Sequence, residues 1–253
     1  GDTANVQTGT LNPIGAVTAT AAGYSGAGRF LFTTGTLSGT QTVAAGANVE
    51  LASGTLLGTW TLAGTMNWTS GTLGAGGSTT IPAGSTLLVS STADKDLRRT
   101  LDNSGTVLWT GGRLLGHSTP VINNNAGEVF ETQVAATLFE SGDGTTKTFN
   151  NNGTLNLQQG DIQLRQGGAM GATSVVNVSA GAHLYITNNY TLLDGSQLNG
   201  PGLIAQTGGT LTADGAIRAT AFTWSGGNWN AAANSCSAWR SFPTIRNERW
   251  SHG

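Results

Sequence analysis

The stretch NWTSGTLGAGGSTTIPAGSTLLV (67–89) decides how this chain is read. Short runs alternating apolar and small polar residues are separated by glycine-rich corners. In NWTSGTL the Trp68 side chain faces one way, and Asn67 and Thr69 face the other, because successive side chains of a strand point to opposite faces. So short a strand cannot bury its apolar side alone. Stacked on the corresponding strand of the previous turn of a coil, it can.

The phrase recurs. A strand followed by Gly-x-apolar appears as LFTTGTL (31–37), NWTSGTL (67–73), LWTGGRL (108–114), NLQQGDI (156–162) and AQTGGTL (205–211). Its glycines, Gly35, Gly71, Gly112, Gly160 and Gly209, lie 36, 41, 48 and 49 residues apart. A second phrase, apolar-x-Ala-Gly-x-x-apolar, appears as VAAGANV (43–49), IPAGSTL (81–87) and VSAGAHL (178–184). A third couples asparagine, glycine and an alternating strand: DNSGTVLW (102–109), NNAGEVF (124–130) and NNNGTLNL (150–157). Glycine and asparagine tolerate the positive φ of a tight corner. A β-propeller would need four strands per blade at a regular period, and these spacings drift. The pattern predicts an all-β chain, a parallel β-solenoid (β-helix) with irregular turns of roughly 18–25 residues, in which asparagines stack as ladders.

Composition agrees. Of 253 residues 39 are glycine, 38% are hydrophobic and only 9% are charged. Disordered chains combine low hydrophobicity with high net charge, the opposite balance. A net charge of −2 offers no basic footprint for nucleic acid, and no apolar run is long enough for a transmembrane segment. The opening GDTANVQTGT lacks the order of a signal peptide, as a mature form would. One cysteine, Cys236, forms no internal disulfide framework.

Residues 31–89, 102–114 and 150–215, with their order of Asn-Asn-x-Gly-Thr-Leu, Gly-x-Leu and Val-x-Ala-Gly-Ala-x-Leu phrases, resemble the repeats of large secreted bacterial surface proteins. They are similar to filamentous-haemagglutinin and autotransporter-passenger β-helices. The resemblance implies an extracellular or cell-surface location and a structural or adhesive role, as part of a longer polypeptide. Such motifs describe coil geometry rather than a site.

Chemistry has one dense candidate, STADKDLRRTLDN, with Asp94, Lys95, Asp96, Arg98, Arg99 and Asp102. Two carboxylates beside a Lys or Arg base could serve a Ca²⁺-assisted polysaccharide lyase or hydrolase. The plainer expectation is a solvated loop at one corner, since charges avoid the interior. Glu140, Asp143 and Lys147 read as a turn. His117, His183 and His252 show no metal-ligand spacing, and no cofactor is expected. Trp60, Trp68, Trp109 and Trp224 recur in register, which favours core. Outside, they would form a sugar-binding platform together with Tyr24, Tyr185 and Tyr190, as in an adhesin or tailspike-like module. The triplets TAT (18–20), TQT (40–42) and TWT (59–61) are a weak sign of a flat ice-binding face.

Two regions follow: solenoid repeats over 1–230 and a tail over 231–253. The tail carries Cys236, Trp239, Arg240, Phe242 and Trp250, with no glycine before the last residue. A repeat array needs an atypical end. Either the tail caps the last coil, or Trp239, Arg240, Phe242 and Trp250 form a subunit contact. End-to-end contacts of the heterologous, head-to-tail kind do not close, and give a filament. The function expected is mechanical and non-catalytic, in a surface, matrix or fibre component that associates with itself, with surface polysaccharide as a further partner.

Overall fold

The computed structural model describes residues 2–134, 136–138 and 143–231. It contains 32 strands and, among the described residues, no helix. The strands pair in parallel and fall into three rows that wind about a common bore. Row A includes Thr59–Leu62, Ser78–Ile81, Thr100–Asn103 and Val121–Asn124. Row B includes Thr65–Trp68, Thr86–Val89 and Thr106–Trp109. Row C includes Gly71–Leu73, Lys95–Leu97 and Leu114–Gly116. The chain visits A, B and C in that order, and each strand lies over its counterpart one turn earlier. Row B forms an 11-stranded sheet; rows A and C form one of 21 strands, joined where Val17–Ser25 and Thr36–Val43 each run through both. The chain is therefore a parallel β-solenoid.

Turn length follows from the register. In row B the step is 17 residues from Val49 to Met66 and 25 from Phe130 to Leu155, close to the expected range. The repeat spacing of 36 to 49 residues is thus not one turn. Thr36 pairs with Thr55, and Thr55 with Thr72, so the first two copies of the Gly-x-Leu phrase stand two turns apart. The copies do not all occupy one corner. Four lie between rows B and C, but AQTGGTL lies between row C (Leu203–Gln206) and row A (Thr210–Asp214). VSAGAHL likewise joins rows B and C, whereas VAAGANV and IPAGSTL join rows A and B. A corner needs a residue tolerant of positive φ, and that need is the same at each corner of the coil. Gly71 shows why: its φ is +84°, and an added Cβ would meet the Gly54 carbonyl oxygen at 2.5 Å.

The bore is apolar. Strands alternate buried and half-exposed positions, as in Thr86–Val89 and Thr106–Trp109. Tyr24 stacks on Trp60 at 5.8 Å between ring centroids, with Phe30 and Phe32 edge-on to it. Further along, Phe130 meets Phe149 edge-on at 5.4 Å. Each fully buried large side chain contributes about 1.5–3 kcal/mol of transfer free energy. Stacking every turn on two neighbours is what makes that burial possible.

The N-terminal end is different. Leu11, Ile14 and Val17 are the exposed large hydrophobic residues among the described positions, Ile14 at 75%. Strands Asp2–Asn5 and Thr10–Leu11 have a paired neighbour on one side only among the described residues. The tail expected over 231–253 lies, apart from Ala231, outside the described residues, so the placement of Cys236, Trp239, Arg240, Phe242 and Trp250 is not described.

Candidate functional site

The charged segment 94–102 leaves the corner between rows B and C, runs along the row C strand Lys95–Leu97 and passes the corner into row A, and strand alternation divides its side chains. Lys95 and Arg99 point inward and are buried, at 0% and 3% exposure. This corrects the expectation of a solvated loop. The reason lies in the two corners that flank row C, Lys95 serving the one before it and Arg99 the one after it, where backbone carbonyls aim at the bore and need donors. Lys95 Nζ donates to the carbonyls of Ser91 (2.8 Å), Ala93 (2.8 Å) and Gly111 (3.0 Å). The Arg99 guanidinium donates to the carbonyls of Gly74 (2.5 Å), Gly58 (2.6 Å), Ser78 (3.5 Å) and Leu56. Those carbonyls belong to the same corner in two earlier turns, so Arg99 ties three turns together. Burial lowers Lys95 to about 8 and Arg99 to about 10, since desolvation penalises the charged form.

The carboxylates face outward and find separate partners. Asp94 binds Arg113 of the next turn at 2.6 and 3.0 Å, and that hydrogen bond holds its carboxyl below the ordinary value. Asp96 binds Arg98 and, one turn on, His117, both at 2.7 Å. Asp102 lies on row A and accepts from Asn123 at 2.7 Å. The three carboxylates thus do not converge on one ligand, and the lysine beside them is turned into the bore. Among the described residues no group of three His, Cys, Asp or Glu could hold a metal ion.

The second charged stretch is also structural. Lys147 is buried, and its Nζ meets Asp143 at 2.5 Å. Asp143 also accepts from the Ser118 N–H at 3.0 Å, bracing a turn in which Ser118 and Thr119 have positive φ. The Lys147 hydrogen bond, before any other cause, depresses the Asp143 pKa strongly. Glu140 and His252 lie outside the described residues. His183 pairs with Asp161 of the preceding turn at 2.6 Å.

The tryptophans take the core placement that their register favoured, and the alternative of an outer aromatic platform is overturned. Trp60, Trp68 and Trp109 are fully buried, Tyr24 and Tyr190 nearly so, and Trp224 is partly buried against the core. Each of these indoles donates to a corner carbonyl: Trp68 to Gly71, Trp109 to Gly112 and Trp224 to Gly226 at the following corner, and Trp60 to Leu57 at the preceding one. The Trp-x-x-Gly wording of the repeat therefore describes a ring that fills the bore and secures the glycine corner after it. Tyr24 donates to Gln41 at 2.8 Å, and burial raises its hydroxyl to about 12. Tyr190 donates to the Phe149 carbonyl, and burial raises it further. Of the proposed platform only Tyr185 stands on an outer face, half-buried beside His183.

Sequence reading missed the outer surface of row A. The register stacks Ala21, Thr40 and Thr59 in one outward column and Gly23, Thr42, Thr61, Thr80, Asp102, Asn123 and Asn150 in another. The second column continues through Ala169, Thr191, Thr212 and Asn230. In this column only Asp102 is charged. Charged side chains gather instead on row B (Arg29, Glu50, Glu131, Arg218) and row C (Asp96, Asp161). The triplets TQT and TWT were visible; that STT (78–80) falls on the same two columns was not, because spacing alone does not reveal which corner intervenes.

These features define the class of protein: a parallel β-solenoid with three strand rows, an apolar bore and polar corner clamps. No family model matches the chain, and no curated protein and no solved structure matches it significantly. The resemblance to filamentous-haemagglutinin and autotransporter-passenger repeats rests on the sequence phrases alone.

Proposed function

We propose that this chain is a non-catalytic structural solenoid, an extracellular surface, matrix or fibre component that associates end to end. One observation carries the reading. Among the described residues the large hydrophobic ones left exposed, Leu11, Ile14 and Val17, lie on the first coil, whose strands are paired there on one side only. A second copy stacked there would bury them and continue the parallel pairing, as one coil does for the next. The first coil of one copy on the last coil of another is a head-to-tail contact, which does not close and makes an open assembly. The fate of the charged candidates supports a mechanical role: Lys95, Arg99 and Lys147 serve the coil, and the carboxylates pair with separate neighbours.

Electron microscopy over a concentration series tests this on three samples: the full chain, the chain lacking 232–253, and Ile14→Lys. A single copy with about 11 turns at ~4.8 Å each would be a rod roughly 50 Å long. The full chain is expected to lengthen with concentration, and Ile14→Lys to stay short. Loss of lengthening in the truncated chain would assign the partner surface to the tail. Short, monodisperse rods of the full chain at every concentration would end the proposal.

A further inference from the structure

The outer face of row A carries an ordered array. In three successive turns the triplets Thr40-Gln41-Thr42, Thr59-Trp60-Thr61 and Ser78-Thr79-Thr80 are in register. Gln41, Trp60 and Thr79 point into the bore. The six flanking hydroxyls face outward as two columns of three, and Thr100 extends one column by a further turn. Neighbouring turns repeat at about 4.8 Å, and residues two apart along a strand at roughly 6.7 Å. The only register shift recorded where these strands meet the preceding coil lies earlier, between Thr18 and Ala21. TAT (18–20) therefore falls outside the array.

Three properties restrict what such a face recognises. It is uncharged from Thr40 to Thr80, so it neither attracts ions nor orients water around a charge. It is rigid, because threonine is stiff at χ1 and each strand is hydrogen-bonded on both sides. It presents no aromatic ring, and sugar rings are ordinarily held against aromatic faces. Hydroxyls and methyls repeating in two dimensions at these spacings come close to the repeat of oxygen positions on a prism plane of ice.

We propose that the row A array Thr40, Thr42, Thr59, Thr61, Ser78 and Thr80 is an ice-binding surface. This does not rest on end-to-end association, which uses the first coil's open edge. The test is partition into slowly growing ice, with a bystander protein in the same solution, for the full chain, Thr61→Lys and Thr86→Lys. Thr86 is the control: a half-buried threonine facing outward on row B, away from the array. Circular dichroism of each sample checks that the coil is intact. Enrichment of the full chain and of Thr86→Lys in the ice, with loss of enrichment in Thr61→Lys, is the expected result. Exclusion of the folded full chain along with the bystander overturns the proposal, as does equal enrichment of the two variants. Pull-down of the chain on crystalline cellulose with no enrichment in ice would overturn it in favour of a polysaccharide partner.

Discussion

Two regions of the bore admit polar side chains, by opposite means. At the two corners that flank row C, Lys95 (between rows B and C) and Arg99 (between rows C and A) bring positive charge inside and spend it on backbone carbonyls. A few residues on, in row A, three neutral asparagines, Asn103, Asn124 and Asn151, are fully buried and stacked. Asn103 Nδ2 donates to Asn124 Oδ1, and Asn124 Nδ2 to Asn151 Oδ1, each at 2.7 Å. Outside them a second ladder joins Asp102, Asn123 and Asn150, at 2.7 and 3.0 Å. The difference is in supply of partners. A strand interior leaves no free carbonyls, so a buried polar side chain there must bond its own kind or the corner just beyond. A corner leaves several carbonyls unpaired, and one guanidinium with five donors satisfies many of them.

The contrast can be broken most severely at the corner. Arg99→Ala strands carbonyls from two earlier turns, each costing about 1–3 kcal/mol when buried without a donor. A total loss of about 3 kcal/mol or more is expected in urea unfolding, with partial recovery in Arg99→Lys. In the ladder, Asn124→Ala removes bonds to both neighbours and to the Thr154 carbonyl at 3.0 Å. About 2–3 kcal/mol is expected there, against roughly 1 for Asn151→Ala, because Asn151 ends the ladder with an unpartnered Nδ2. Equal losses at the two positions would mean that the ladder is not cooperative.

Lys95 sharpens the comparison through pH. Its folded value near 8 lies below that of a free lysine, so between the two the unfolded chain binds the extra proton. Stability should therefore rise as pH climbs from about 8 towards 10, a slope that Lys95→Met removes. Asn124 carries no ionisable group and offers no such slope. The smallest effect is expected at the outward partners. Asp94→Ala breaks an exposed pair with Arg113 and should shift stability by no more than about 0.5 kcal/mol. A much larger loss would return the carboxylate cluster to consideration as a built site.

Much of the coil was legible because its rules are local. Trp68 and Trp109 in strand phrases, the glycines after them, the Asp-Asn pair at 102–103 and the Asn-Asn pairs at 123–124 and 150–151 announce strands, corners and ladders directly. The candidate site was not, for two reasons. Asp94, Lys95 and Asp96 are adjacent in sequence, yet alternate between outside and bore, so adjacency said nothing of convergence. Lys95 and Arg99 read as solvated because the carbonyls that take their charge come from Gly111, Gly58 and Leu56, in other turns.

The amino-acid sequence by itself determined the strand period, the corners and hence an all-β stacked coil, since alternation and positive φ are properties of a few neighbouring residues. The tertiary structure alone decided which corner each phrase occupies, that each spacing from 36 to 49 residues exceeds a single turn, and which side chains share a column. Those depend on register between turns of 17 to 27 residues, whose unequal corners absorb the difference, so spacing along the chain does not tell which side chains share a column.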